Sequence, residues 1–213
     1  IPSAATLIRL MAAYPDARCS LDFKNPLQLL VATILAAQCT DERVNMTTPA
    51  LFKRYKTARD YVNAPDAELQ EAIRSCGFYR QKAKSIKKTC RTILEEFGGE
   101  VPGTMEELVQ LEGVGRKTAN VLLGECFETP GIIVDTHCKR VSCRLGFTKN
   151  GDPTKIEQDL MRIVPEQRWT DFSHCLVFHG RAVCQARSPK CSQCCVRDLC
   201  PIPETREVKK VAR

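Results

Sequence analysis

The chain of 213 residues reads as an all-α protein. Three observations predict this. Apolar residues recur at helical spacing in segment after segment, and helix-start and helix-stop signals bracket those segments. The one strand-like run, Gly131 to Val134 (GIIV), is too short to build a sheet. No repeat of fixed period suggests a solenoid.

Taken in order, Ser3 can cap a first helix running to Tyr14. Asn25-Pro26 pairs an N-cap residue with proline at the first helical position and opens a helix to about Cys39. Asp41 to Tyr55 continues helically, with an interruption expected near Pro49. Asp66 to Cys76 carries apolar residues at Leu69, Ile73 and Cys76 and stops at Gly77. Tyr79 to Phe97 is a long basic amphipathic helix closed by Gly98-Gly99. A compact unit follows: Thr104 to Leu111, the turn Glu112-Gly113-Val114-Gly115, and Arg116 to Phe127. The last helical stretches are Thr136 to Leu145, Pro153 to Val164 and Thr170 to Cys184.

Composition narrows the function classes. Hydrophobic residues at 43% and charged residues at 27% are ordinary globular values, which exclude a disordered or collagenous chain. The most apolar stretch, Pro26 to Cys39, has 14 residues. A membrane span needs roughly 20, so a buried core helix is expected. The start, IPSAATLIRL, lacks the basic residues and cleavage pattern of a secretory signal, so a cytoplasmic protein is expected, nucleoid-associated if bacterial. Net charge is +7, and residues 180–213 hold eight basic against three acidic residues, leaving only +2 for the rest. A positive field gathered at one end points to a polyanionic partner.

Of the thirteen cysteines, Cys19, Cys39, Cys76, Cys90, Cys126, Cys138, Cys143 and Cys175 are scattered within apolar patterns and are expected to be small buried hydrophobes. The other five form C-x6-C-x2-C-C-x5-C-P at Cys184, Cys191, Cys194, Cys195 and Cys200. So many thiols in so short a segment mark a metal site, although spacing alone does not choose zinc over an iron–sulfur cluster. Adjacent Cys194 and Cys195 point apart, so one of them is expected to be a ligand. Arg181, Arg187 and Lys190 surround the first loop with no acid among them.

Glycines at 113 and 115 lie between two helices and not after a strand, which excludes a dinucleotide fingerprint. They serve either as a tight helix–helix turn or as a close approach for an anion at the positive end of the second helix. Lys117 stands at that end beside Arg116, where its charge is disfavoured; a nucleophilic amine has to be uncharged. Asp135 leaves the apolar run Ile132-Ile133-Val134 at the start of a helix. It suits an N-cap and equally a rigidly held base or partner of a cation.

Four segments in order, LEGVGRKTANVLL (111–123), IIVDTH (132–137), FHGRAVC (178–184) and the cysteine spacing, resemble the endonuclease III family, the iron–sulfur branch of the helix-hairpin-helix DNA glycosylases. The likeness extends to AAQCTDERVN (36–45) and GFYRQKA (77–83). It implies two helical domains with a DNA-binding cleft between them: a six-helix barrel-like domain at 20–130 with the hairpin near 104–127, and a cluster domain of 1–19 plus 131–213 with its cluster loop at 184–200. The implied activity is bifunctional: excision of oxidised or ring-saturated pyrimidines from duplex DNA, then β-elimination at the abasic site.

The resemblance assigns roles residue by residue. Lys117 would attack C1′ and Asp135 would assist it. Gln38 would fill the space left by the extruded base, and Phe78 would wedge into the stack. Gly113, Val114 and Gly115 would hold phosphate, with Arg116, Thr118, His137, Arg187 and Lys190 as further DNA contacts. Cys184, Cys191, Cys194 and Cys200 would carry a [4Fe–4S] cluster, leaving Cys195 spare. The implied partner is damaged double-stranded DNA, with no membrane, and the chain a monomer. The adenine-specific branch typically lacks the lysine, so Lys117 separates this chain from it. Three positions depart from the family pattern: Glu112 where proline is common, Phe78 where an aliphatic residue is common, and Ala36 where serine is often found. Glu112 is expected to loosen the turn and set a negative charge beside it.

Overall fold

The computed structural model describes residues 4–202, and all regular structure within them is helical, as the periodicity predicts. The helices are α1 (Ala4–Ala13), α2 (Pro26–Ala36), α3 (Asp41–Arg54), α4 (Ala58–Asn63), α5 (Asp66–Ala72), α6 (Tyr79–Glu96), α7 (Met105–Leu108), α8 (Arg116–Cys126), α9 (Thr136–Arg144), α10 (Pro153–Met161) and α11 (Trp169–Ala182). Short 3₁₀ turns occur at Arg74–Cys76, Glu166–Arg168, Cys191–Gln193 and Arg197–Leu199. The expected cap Ser3 lies outside the described residues, as do Arg206, Lys209, Lys210 and Arg213 of the basic end.

Several boundaries differ from expectation for identifiable reasons. Asn25 caps α2 by accepting the Gln28 N–H at 2.9 Å, but the helix ends at Ala36 and not near Cys39, because Gln38 turns into the left-handed region at φ 54°. Helix α3 passes through Pro49 unbroken, since buried Val44, Thr48 and Leu51 hold it on both sides of the lost hydrogen bond. The segment after α5 tightens into the Arg74–Cys76 turn and stops on Gly77 at φ 68°. The first hairpin helix is a single turn, α7. Helix α4 was not expected. Its signal is Thr57-x-x-Asp60, a reciprocal capping box in which backbone N–H groups of Thr57 and Lys56 hold the Asp60 carboxyl below the usual range.

The chain divides into two compact units, Cys19–Thr129 and Ile1–Arg18 with Pro130–Arg213. In the first, α2 packs against α3, α6 and α8, with Leu29, Leu30, Val31 and Leu35 almost fully buried. Its burial all round explains the apolar run in the sequence. In the second, α11 packs against α9 and α1 around Leu10, Val141, Leu160, Phe172, Leu176 and Val196. Gly180 of α11 is needed there, because a Cβ would meet His137 Cβ at 3.0 Å and the Arg140 guanidinium at 3.1 Å.

The turn between α7 and α8 is tied to α6, contrary to the expectation of a loosened hairpin. Thr89 Oγ1 donates to the Glu112 carbonyl at 2.7 Å, and the Lys88 ammonium pairs with the Glu112 carboxylate. Glu112 therefore brings its own counter-charge and a second anchor. Gly113 follows at φ 76° with open space around a would-be Cβ, whereas Gly115 is extended at φ −89°. Gly113→Ala is expected to lower the unfolding free energy by about 1–2 kcal/mol, the left-handed penalty alone. Gly115→Ala should cost less, about 0.5–1 kcal/mol, as an N-cap change. Urea titrations of the two variants check the contrast.

Candidate functional site

In the Cys19–Thr129 unit, three residues with side chains hold left-handed backbone: Glu128 at φ 51°, where the unit ends, and Gln38 at φ 54° and Phe78 at φ 45°, beside the turns they close. That conformation costs a non-glycine residue about 1–2 kcal/mol. Gln38 and Phe78 are exposed, and Phe78 leaves 66% of its surface in solvent. An aromatic ring held strained and in water fits a surface meant to meet a partner. Ala36, at the end of α2, is half-buried.

The hairpin turn presents the N-terminus of α8. Val114 is buried and anchors the turn, while Gly113, Gly115, Arg116 and Lys117 are exposed and Thr118 is half-buried. Gly115 has no side chain to cap the helix, and no acid occupies the first turn. The N–H groups of a helix's first turn have no partner within the helix, and their positive end suits an anion. Lys117 stands in that same exposed first turn.

In the other unit, Asp135 caps α9, its Oδ1 accepting the Cys138 N–H at 2.6 Å. A carboxylate has more than one acceptor position, so capping one oxygen leaves the other for chemistry. Ile132, Ile133 and Val134 are buried behind it and fix its place. His137 is half-buried, its Nδ1 3.1 Å from the Arg140 guanidinium. Burial holds the imidazole below its ordinary pKa; Asp135 opposes this, and Arg140 and Arg181 reinforce it.

The cysteine segment is fastened by two arginines that sequence reasoning missed. Arg140 Nε donates to the Cys184 carbonyl at 3.0 Å and Nη2 to the Gly180 carbonyl at 2.9 Å. Arg144 Nη1 donates to the carbonyls of Cys184 and Gln185, at 3.2 and 2.7 Å, and reaches Cys184 Sγ at 3.4 Å. Its Nη2 donates to the Ala186 carbonyl at 2.9 Å. The available signal was two arginines four apart, which share a helix face. His179 was also missed: Nε2 lies 3.6 Å from Cys194 Sγ and Nδ1 3.0 Å from the Tyr14 hydroxyl. Burial lowers the His179 pKa to about 4, so at neutral pH the ring is uncharged.

Burial pushes the Cys194 thiol up to about 11, and the neighbouring thiols of Cys195, Cys200 and Cys184 add to it. Cys184, Cys194, Cys195 and Cys200 pack against the core of this unit, around Val196. Arg187 and Lys190, on the loop that Arg144 holds, are exposed. Among the described residues, no three His, Cys, Asp or Glu side chains converge as a single metal ion would require.

The eight scattered cysteines divide. Cys76, Cys90, Cys138 and Cys175 are buried as expected, and burial raises the Cys90 and Cys138 thiols to about 12. Cys19, Cys39 and Cys126 are only half-buried, and Cys143 is exposed on α9, where its Sγ donates to the Asn150 carbonyl at 3.4 Å. The apolar periodicity around it did not distinguish the outer face of that short helix.

Residues 31–166 match the model of the HhH-GPD superfamily of base excision DNA repair proteins. Endonuclease III of Synechocystis sp. is 56% identical over 196 residues, covering 92% of this chain and 90% of that protein. Endonuclease III of Bacillus subtilis is 47% identical over 201 residues, covering 94% and 92%. Among solved structures, a non-covalent endonuclease III–DNA complex superimposes with a TM-score of 0.92 at 43% identity, covering 96% of each chain. A trapped endonuclease III–DNA covalent intermediate gives 0.90 at 44% identity, covering 94% of this chain and 95% of the other. Helical fold, glycine hairpin and cysteine segment thus occur together in a sequence that belongs to the endonuclease III family of HhH-GPD base excision repair proteins.

Proposed function

We propose that the chain is a bifunctional DNA glycosylase and abasic-site lyase that removes oxidised or ring-saturated pyrimidines from duplex DNA. The observation that carries this is Lys117, an exposed lysine in the first turn of a helix that no side chain caps and no acid precedes. The hairpin backbone at Gly113, Val114 and Gly115 seats the phosphate without reading sequence, with Arg116 and Thr118 alongside. A damaged base leaves the stack at lower cost than an intact one; Phe78 wedges into the stack and Gln38 occupies the gap.

The Lys117 amine attacks C1′; the N–C1′ bond forms as the glycosidic bond breaks and the base departs. Asp135 accepts the proton that the amine must lose and balances the positive charge developing on the sugar. The sugar ring then opens to give a Schiff base on Lys117. Loss of a C2′ proton expels the 3′ phosphate by β-elimination, which nicks the strand. His137 sits two residues after Asp135 and contacts the DNA backbone.

Cys184, Cys191, Cys194 and Cys200 hold a [4Fe–4S] cluster in this reading, with Cys195 spare. The donor set fits: thiols gathered against an apolar core, an arginine N–H reaching Cys184 Sγ and a neutral imidazole beside Cys194 Sγ. Bound there, the cluster cross-links the segment and stiffens the Arg187–Lys190 loop against the DNA backbone. The protein acts as a monomer on damaged double-stranded DNA, away from membranes and beside the genome.

Borohydride reduction in the presence of abasic-site duplex should trap a covalent protein–DNA adduct, and Lys117→Ala should abolish it. An undiminished adduct in that variant would remove Lys117 from the mechanism. Purified protein should be yellow-brown and contain iron and acid-labile sulfide in equal amounts; stoichiometric zinc without colour would overturn the cluster. Log affinity for duplex should fall linearly with log salt, and Arg187→Ala or Lys190→Ala should each reduce the slope by about 1. A slope unchanged in both variants would exclude the loop from the interface.

A further inference from the structure

The Lys82 side chain is 5% exposed, on the inner face of α6. Its ammonium donates to two backbone carbonyls, Leu35 O at 2.8 Å and Cys76 O at 2.8 Å. Both carbonyls lie where a helix stops. Leu35 O is left without its helical donor because the Cys39 N–H bonds to Ala36 O instead, at 3.1 Å. Cys76 ends the 3₁₀ turn that precedes Gly77 and Phe78. One cation therefore joins the C-terminal end of α2, three residues before Gln38, to the end of the turn two residues before Phe78. The Lys82 N–H also donates to the Phe78 carbonyl at 3.0 Å, so the same residue holds Phe78 by its backbone.

We propose that Lys82 is a positioning residue for base extrusion: its buried ammonium sets the spacing of Gln38 and Phe78 so that the two enter the duplex together. This rests on the glycosylase reading above. Left-handed backbone at Gln38 and Phe78 is maintained only if the surrounding structure fixes it, and Lys82 is bonded to the chain on the approach to both. A hydrophobic residue of equal length would fill the slot but leave both carbonyls without their donor. Thr89, seven residues along the same helix and on the same face, bonds the Glu112 carbonyl, so α6 bears on the hairpin turn as well. Lys82 differs from Thr89 in joining two tips to each other and not one turn to the helix.

The test is a double-mutant cycle on single-turnover excision of a damaged pyrimidine from duplex DNA. Lys82→Met is expected to slow excision at least tenfold in the parent, and less than twofold further in a Gln38→Ala/Phe78→Ala background. Its loss of thermal stability should be the same in both backgrounds. An equal loss of excision in both backgrounds would make Lys82 merely structural and overturn the proposal; so would unchanged excision in the parent. If Lys82→Met is too unstable to purify, Lys82→Gln, uncharged and one bond too short to keep both carbonyls at 2.8 Å, takes its place in the cycle, and the same two outcomes would overturn the proposal. A parent protein that excises no damaged base and traps no adduct would instead refute the underlying function.

Discussion

A buried ammonium with only carbonyl partners is the constraint on which the Cys19–Thr129 unit depends. Among the described residues Lys82 meets no carboxylate; its charge is balanced by the negative ends of two helical segments. Hydrogen bonds to a charged group contribute roughly 1.5–3 kcal/mol each, while a buried cation deprived of them is far more costly. Such a contact leaves little freedom of register: the two segments either end at Lys82 or the charge is stranded. The same logic recurs in the other unit, where Arg140 and Arg144 bind the carbonyls of the segment that begins the cysteine cluster. In both units a cation on one helix satisfies backbone oxygens of an irregular segment. A carbonyl-bound cation lets such segments be rigid without being regular.

Charge is used differently on the exposed surface. Glu112 stands in the hairpin where its carboxylate would repel a phosphate, yet the Lys88 ammonium is paired with it and Thr89 holds its carbonyl. A surface pair of this kind contributes little to stability. Its effect is on the field: the turn reaches solvent with the acid already matched, and the positive end of α8 remains the dominant local charge.

Much of this was legible from the amino acids. The caps Asn25 and Asp135 mark helix starts correctly because an N-cap is a local hydrogen bond that the sequence itself specifies. The hairpin and cysteine spacing were equally readable, since glycine and cysteine have few reasons to cluster. What escaped was long-range. Lys82 looks like one more base on an amphipathic helix, and only the fold shows that it points inward to Leu35, 47 positions away. Arg144 and His179 look like surface residues for the same reason, since their partners lie on segments far off in the chain. Pro49 misled in the opposite sense, because tertiary packing outweighed a local helix penalty.

The discontinuous unit has a consequence for the order in which the molecule is made. Helix α1 belongs with residues after 130, and its neighbour Tyr14 bonds to His179, 165 positions later. At roughly 5–20 residues per second, the ribosome emits that partner some 10–30 s after Tyr14. The intervening unit can complete its core while α1 waits with Leu10 uncovered. The cysteine segment, whose Asp198 lies 189 positions after Arg9, then closes over α1 through that pair. Assembly thus completes the Cys19–Thr129 unit first, and a delay in furnishing the cysteines leaves α1, not the hairpin, as the exposed surface.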